Sequence, residues 1–174
     1  PEFVGAQLAD YADIIGRTAD ELLADWPESG TVDLFEEMSL LTVRVITQTM
    51  FSRDISRTRG LQVKEALETL GRETEFGVLD FLVPEQLQSG PSEDLDRANE
   101  TLDSVATDIV DWHRAQSDPP EGMLTALMAA QAAPEPTHAA NELVDETVLF
   151  MTAGRATIVP TPTSAVYRLS RNPA

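Results

Sequence analysis

Few side chains in this sequence are of a kind that could do chemistry, and they fall in three places. The two histidines, His113 and His138, are far apart, and neither forms a spaced pair with an acid that reads as a metal site. Exposed positions at a helix end and in a linker are expected for them. Acids are paired at Asp108 and Asp111, and again at Glu142, Asp145 and Glu146. Each set falls on one helix face, where solvated charge is expected in so acidic a chain rather than an acid–base dyad. The third place is residues 142–157, ELVDETVLFMTAGRAT. It begins polar, turns apolar over residues 148–151, and runs into Ala153-Gly154-Arg155-Ala156-Thr157. Leu143, Val144, Thr147, Val148 and Met151 repeat at three and four, which is helical spacing. Residues 148–151 are apolar on nearly every side, so this helix is expected to lie inside the protein. A glycine within it costs about 1 kcal/mol relative to alanine. It also leaves a place where another group can come close to the backbone.

Composition narrows the chemistry further. Cysteine is absent from the 174 residues, which removes disulfides and any thiolate ligand to iron or zinc. There is no phosphate loop and no nucleophile elbow. The net charge is −18, from 30 acids against 12 bases, and Lys64 is the only lysine. A phosphate backbone needs a basic footprint, so nucleic acid is not an expected partner. No apolar run approaches the roughly 18 residues of a membrane span. Pro1-Glu2-Phe3-Val4 shows neither the basic nor the apolar part of a signal peptide. A cytoplasmic location is the expectation. An initiator methionine is also missing, and the chain is expected to begin inside a longer one.

The elements that must position these residues are helical. Residues 5–26 carry Leu8, Tyr11, Ala12, Ile15, Ala19 and Leu22 at helical spacing, and residues 27–30 stop them. Asp33 and Glu36 form a capping-box pattern before a helix to about Phe51. Its apolar face, with Leu34, Met38, Leu41 and Val45, is widened by Leu40, Val43 and Ile46. A more polar helix is predicted over residues 60–75 and an irregular stretch over 76–87. Ser92 can cap a helix to about Ala115, with Glu93, Asp94 and Asp96 suiting the dipole of its first turn. Its apolar positions are Leu95, Leu102, Val105, Ile109 and Trp112. Trp26 and Trp112 are expected as core-edge anchors. A short helix follows over 123–131, then a linker over 132–137 with Pro134 and Pro136. Pro160 and Pro162 should end the last long helix near Ile158 or Val159, since an interior proline costs about 3 kcal/mol or more. A further short helix is predicted from about Thr163 to Leu169. No stretch alternates as a strand does. The expected architecture is a single all-α domain over residues 1–174, a bundle of helices.

These residues, in this order, resemble the middle helices of the cytochrome P-450 haem-thiolate monooxygenases. Ala153-Gly154-Arg155-Ala156-Thr157 is similar to the family's Ala/Gly-Gly-x-Asp/Glu-Thr signature, and Asp145-Glu146 resembles the acidic pair that opens the same helix. Val32-Asp33-Leu34 with Leu41-Thr42-Val43, Val45-Ile46 and Met50-Phe51 resembles an upstream helix. Residues 122–127 resemble the Asp-Leu-Leu-x-x-Leu element. Tyr167-Arg168-Leu169-Ser170-Arg171-Asn172-Pro173 resembles the stretch after the central helix.

The resemblance implies that Ala153 and Gly154 face haem and that Thr157 is the catalytic threonine of oxygen activation. Ala156 stands where the family's acid would be and has no proton to give, and Arg155 cannot act as an acid or base near neutral pH. Residues 76–87 match the connection over the substrate pocket, either as a lid or as an ordinary loop with a small satellite core. No Glu-x-x-Arg occurs in the sequence, and without a cysteine there is no fifth ligand to iron. The chain is therefore expected to be a fragment of a monooxygenase acting on an apolar substrate with a redox partner. Alone it is expected to be haem-free and inactive. The alternatives are a helical binding module that associates with itself through its exposed central helix, or a decayed product with no activity.

The acidic surface suits either ordinary solvation or high salt. Charges repel over a Debye length of about 3 Å at 1 M salt, against about 10 Å at 0.1 M. On the high-salt reading, the melting temperature is expected to rise between dilute buffer and molar salt. A flat or falling trend by circular dichroism counts against it.

Overall fold

The second helix of the chain is the one that most of the others touch. The fold comes from a computed structural model that describes residues 5–74, 92–132 and 142–172, with side chains over 8–72, 92–132, 142–154 and 158–172. Among the described residues there are seven helices and no strand. They are α1 (Gly5–Ala24), α2 (Leu34–Phe51), α3 (Arg57–Thr74), α4 (Glu93–Arg114), α5 (Met123–Gln131), α6 (Glu142–Ile158) and α7 (Pro160–Arg171). The fold is all-α. No described helix is long and apolar enough to cross a membrane. The irregular stretch predicted at 76–87, as lid or ordinary loop, the linker proline pair Pro134 and Pro136, and His138 lie outside the described residues.

Helix starts follow the sequence closely. The Asp33 carboxylate accepts from the backbone amides of Phe35 and Glu36, at 2.9 and 3.1 Å, satisfying donors that have no partner inside α2. Glu36 does not complete a capping box. Its carboxylate instead takes the Lys64 amine at 2.7 Å. Ser92 caps α4 by accepting from Leu95 N at 3.1 Å. The helix α3 starts at Arg57, three residues before the predicted start, because the Ser56 hydroxyl accepts from Arg59 N and opens an extra turn. Pro160 does more than break a helix. It opens α7 in the first turn, where its missing N–H would have no partner anyway. The second short helix thus begins three residues earlier than the prolines suggested.

One core lies between α2, α3, α4 and α6. Ala98, Leu102, Val105, Ala106, Ile109 and Val110 bury one side of α4, and they meet Val43, Ile46 and Phe51 of α2, Val63 and Leu67 of α3, and Leu143 and Met151 of α6. Full burial of a Leu or Val side chain contributes about 1.5–3 kcal/mol. A second cluster joins Leu22 of α1, Met38 and Leu40 of α2, and Val159 between α6 and α7. At Gly60, α3 comes close to α2: a side-chain carbon there would meet the δ-methyl of Leu40 at 2.7 Å.

Scarce cations tie this layer together. Arg44 on α2 reaches Glu21 on α1 at 2.7 Å and Asp54 at 3.3 Å. Arg57 pairs with Asp25 and Glu37, and Arg59 pairs with Asp108, linking α3 to α4. Lys64 is buried and faces Glu36 and Glu68. Burial pushes its amine down, but the hydrogen bond to Glu36 and the charges of Glu68 and Glu36 outweigh it, and the pKa stands above the ordinary lysine value. Since the folded value is the higher one, the contribution is complete below the unfolded lysine pKa of about 10.4 and is lost as pH rises through the folded value. Urea unfolding at stepped pH is expected to show native protein losing stability relative to Lys64→Met only above about pH 10.4. A gap that narrows near neutral pH would remove Lys64 as the cause.

Candidate functional site

The apolar run of α6 is divided between two sides. Leu143, Thr147 and Met151 recur at four-residue steps and are buried against α2 and α4. Thr147 is able to sit there because its hydroxyl donates to the Leu143 carbonyl at 2.7 Å. Asp145, Leu149 and Ala153 recur at the same step on the other side and are exposed, Leu149 by 62 %. The expectation of a helix enclosed all round is therefore corrected: α6 lies inside on one side and presents Leu149 and Ala153 on the other. An apolar run cannot reveal this by itself, because its periodicity does not say which neighbours exist.

The two small residues point different ways, as residues about 100° apart on a helix must. Ala153 is on the open side. Gly154 is turned toward α2, where a side-chain carbon would overlap the δ-methyl of Ile46 and press on its γ1 carbon at 3.1 Å. Thr157 follows Ala153 by one turn, and its backbone, with those of Arg155 and Ala156, completes α6. Leu149 is the residue that sequence reasoning passed over. Its place four residues before Ala153 was the available signal.

His113 corrects an expectation. It was expected to be exposed at a helix end, yet it is only 1 % exposed. It lies four residues after Ile109, on the apolar side of α4, and its Nε2–H donates to the Phe51 carbonyl at 2.6 Å. Its Nδ1 has no partner among the described residues. Trp112, half-buried, packs edge-on to the His113 ring and lies under the Arg53 guanidinium at 4.8 Å. Trp26 is half-buried and donates to Glu37 at 3.2 Å. Asp108 and Asp111 hold Arg59 and Arg114, so they make ion pairs rather than a dyad.

A porphyrin needs a flat apolar surface and an axial ligand to iron. Toward the first, the open side of α6 presents Leu149 and Ala153, beside the charged Asp145. No residue described here fits the second. The sequence has no cysteine, His113 is sealed on the Phe51 carbonyl, and the described residues hold no cluster of three or more histidines and acids able to grip a metal. The described residues do not fit the group's metal, and no step is derived through it.

Comparison with known proteins places this geometry in context. The sequence pattern of the family described as Cytochrome P450 matches residues 1–174. Cyclooctatin synthase of Streptomyces melanosporofaciens is 26 % identical over 99 % of this chain and 38 % of its own length. Pentalenene oxygenase of Streptomyces avermitilis is 23 % identical over 98 % of this chain and 38 % of its own length. Cytochrome P450 monooxygenase pynD of Aspergillus niger is 24 % identical over 95 % and 34 %. The chain thus spans little more than a third of these relatives.

The division of α6 into two sides has a direct test. Ala153→Leu is expected to change unfolding free energy by no more than about 0.5 kcal/mol, as exposed substitutions do. Met151→Ala is expected to lose about 2–5 kcal/mol. Equal losses in urea melts would show that both sides are enclosed.

Proposed function

Since this chain belongs to the cytochrome P450 family, we propose that it carries the central helices of a haem-thiolate monooxygenase whose whole protein inserts oxygen into an apolar substrate. The observation that supports the reading most directly is the open strip of α6, Leu149 and Ala153, leading by one turn to Thr157. On this reading the strip is the wall beside haem and substrate, and Thr157 is the threonine of oxygen activation. Ala156 leaves that threonine without the acidic partner found in the family pattern, so a proton would have to arrive through water or substrate. Pentalenene and cyclooctat-9-en-7-ol appear in the names of relatives, and an apolar terpene-like substrate agrees with a wall made of leucine and alanine.

The 174 residues by themselves are proposed not to be catalytic, because thiolate ligation supplies the electronic push that cleaves oxygen and no cysteine is present. The purified chain, given haem, dithionite and carbon monoxide, is expected to show no thiolate-type absorption band. Such a band would overturn the reading.

A second reading, self-association, is favoured by one feature. No residue of α7 is buried, Tyr167 and Leu169 are exposed by 58 and 71 %, and Ile158 at the end of α6 is exposed as well. Exposed apolar surface of this kind is disfavoured by about 25 cal/mol per Å² relative to its burial. Sedimentation equilibrium is expected to give a dimer or larger species, weakened by Leu169→Asp. A monomer across the accessible concentrations would remove this reading.

A further inference from the structure

The glycine of the small pair sits opposite a particular methyl group. Ile46 of α2 is buried, and its δ-methyl occupies the space that any side chain at position 154 would need. Non-bonded carbons settle at about 3.5–4.0 Å, so a β-carbon at 154 would force either Ile46 out of its seat or α6 away from α2. Five residues on, Val159 is 2 % exposed and belongs to the cluster of Leu22, Met38 and Leu40. Its carbonyl also accepts from the Thr163 hydroxyl at 2.8 Å, tying the chain into α7. The last turn of α6 therefore lies between two seats, one on either side of Thr157 in sequence.

We propose that Ile46 is a positioning residue: its δ-methyl, seated in the notch of Gly154, acts with Val159 to fix the last turn of α6, and so Thr157, along α2. Gly154 is in this chain a packing notch for α2, and Ala153 is the small residue left to the open side. The importance of that placement rests on the reading of α6 as the helix beside haem, whereas the seat itself does not depend on it.

Two effects oppose each other at position 154, and the sign decides between them. Helix propensity alone makes Gly154→Ala stiffen α6 and slow amide exchange. A seated Ile46 makes the same change lift the helix and speed exchange. In the 174-residue chain, Gly154→Ala is expected to accelerate amide exchange at residues 155–158 by about tenfold, as read by NMR. Adding Ile46→Val, which deletes the δ-methyl, is expected to restore the rates to within about threefold of the Ile46→Val single variant. Leu102→Ala, which opens the core at α4, serves as a control and should accelerate α4 amides at least as much as those of α6. Slower or unchanged exchange in Gly154→Ala, or no recovery in the double variant, overturns the proposal. If Gly154→Ala does not fold, Ile46→Val alone should still accelerate residues 155–158 selectively, and an unchanged rate overturns it equally. None of these rates involves haem, so a failed carbon monoxide test leaves them intact and the two readings fall separately.

Discussion

Leu143, Thr147 and Met151 mark successive turns of α6, and each is sealed against α2 and α4. That contact decides the rest. It turns Gly154 onto Ile46, leaves Leu149 and Ala153 on the far side, and carries the chain to Val159, where the second cluster takes hold. A helix surrounded on all sides would have no side to offer a ligand. One packed along a single stripe presents the opposite stripe, and here that stripe runs from the acid Asp145 to the apolar Leu149 and Ala153. The polar group buried in the contact, Thr147, is neutralised locally by its own helix, so the seam asks nothing of its neighbours except shape.

Charge works against this packing and is held in check by a few cations. With thirty acids on the chain, the compact state repels itself, and three arginines answer it from between helices. Arg44 joins α1 to α2, Arg57 joins α3 to α2 and to Asp25 just past α1, and Arg59 joins α3 to α4. Most of these pairs have an exposed partner and are individually worth about 0–1 kcal/mol. Their value lies in relieving repulsion where helices meet.

Much of the fold was legible in the residues. The bounds of α5, the caps at Asp33 and Ser92, and the end of α2 follow from local chemistry, and the structure has them where the side chains put them. The misreadings share a different origin. His113 reads as a surface residue because histidine usually is one, and only the Phe51 carbonyl, sixty-two residues away in sequence, makes its burial tolerable. Pro160 does end α6, at Ile158 as its type foretells; what was missed is that Val159, itself in helical dihedrals, lets the next helix open at Pro160 rather than near Thr163. Leu149 reads as core because the run around it is apolar. For His113 the deciding partner is distant in sequence, and no local pattern names it. For the candidate site, the sequence supplies Ala153, Gly154 and Thr157 only as a list, and a list cannot say that Ala153 is exposed while Gly154 turns toward Ile46.

The lone lysine has a practical consequence. Apart from the chain's own α-amino group, Lys64 is the only amine here, and it is closed in between Glu36 and Glu68. A reagent that acylates amines would find no target on the outer surface of the helices. It would have to wait for α2 and α3 to part. The rate at which acetyl appears on Lys64 itself, read from the peptide that carries it, would then record without any engineered label how often that seam breathes.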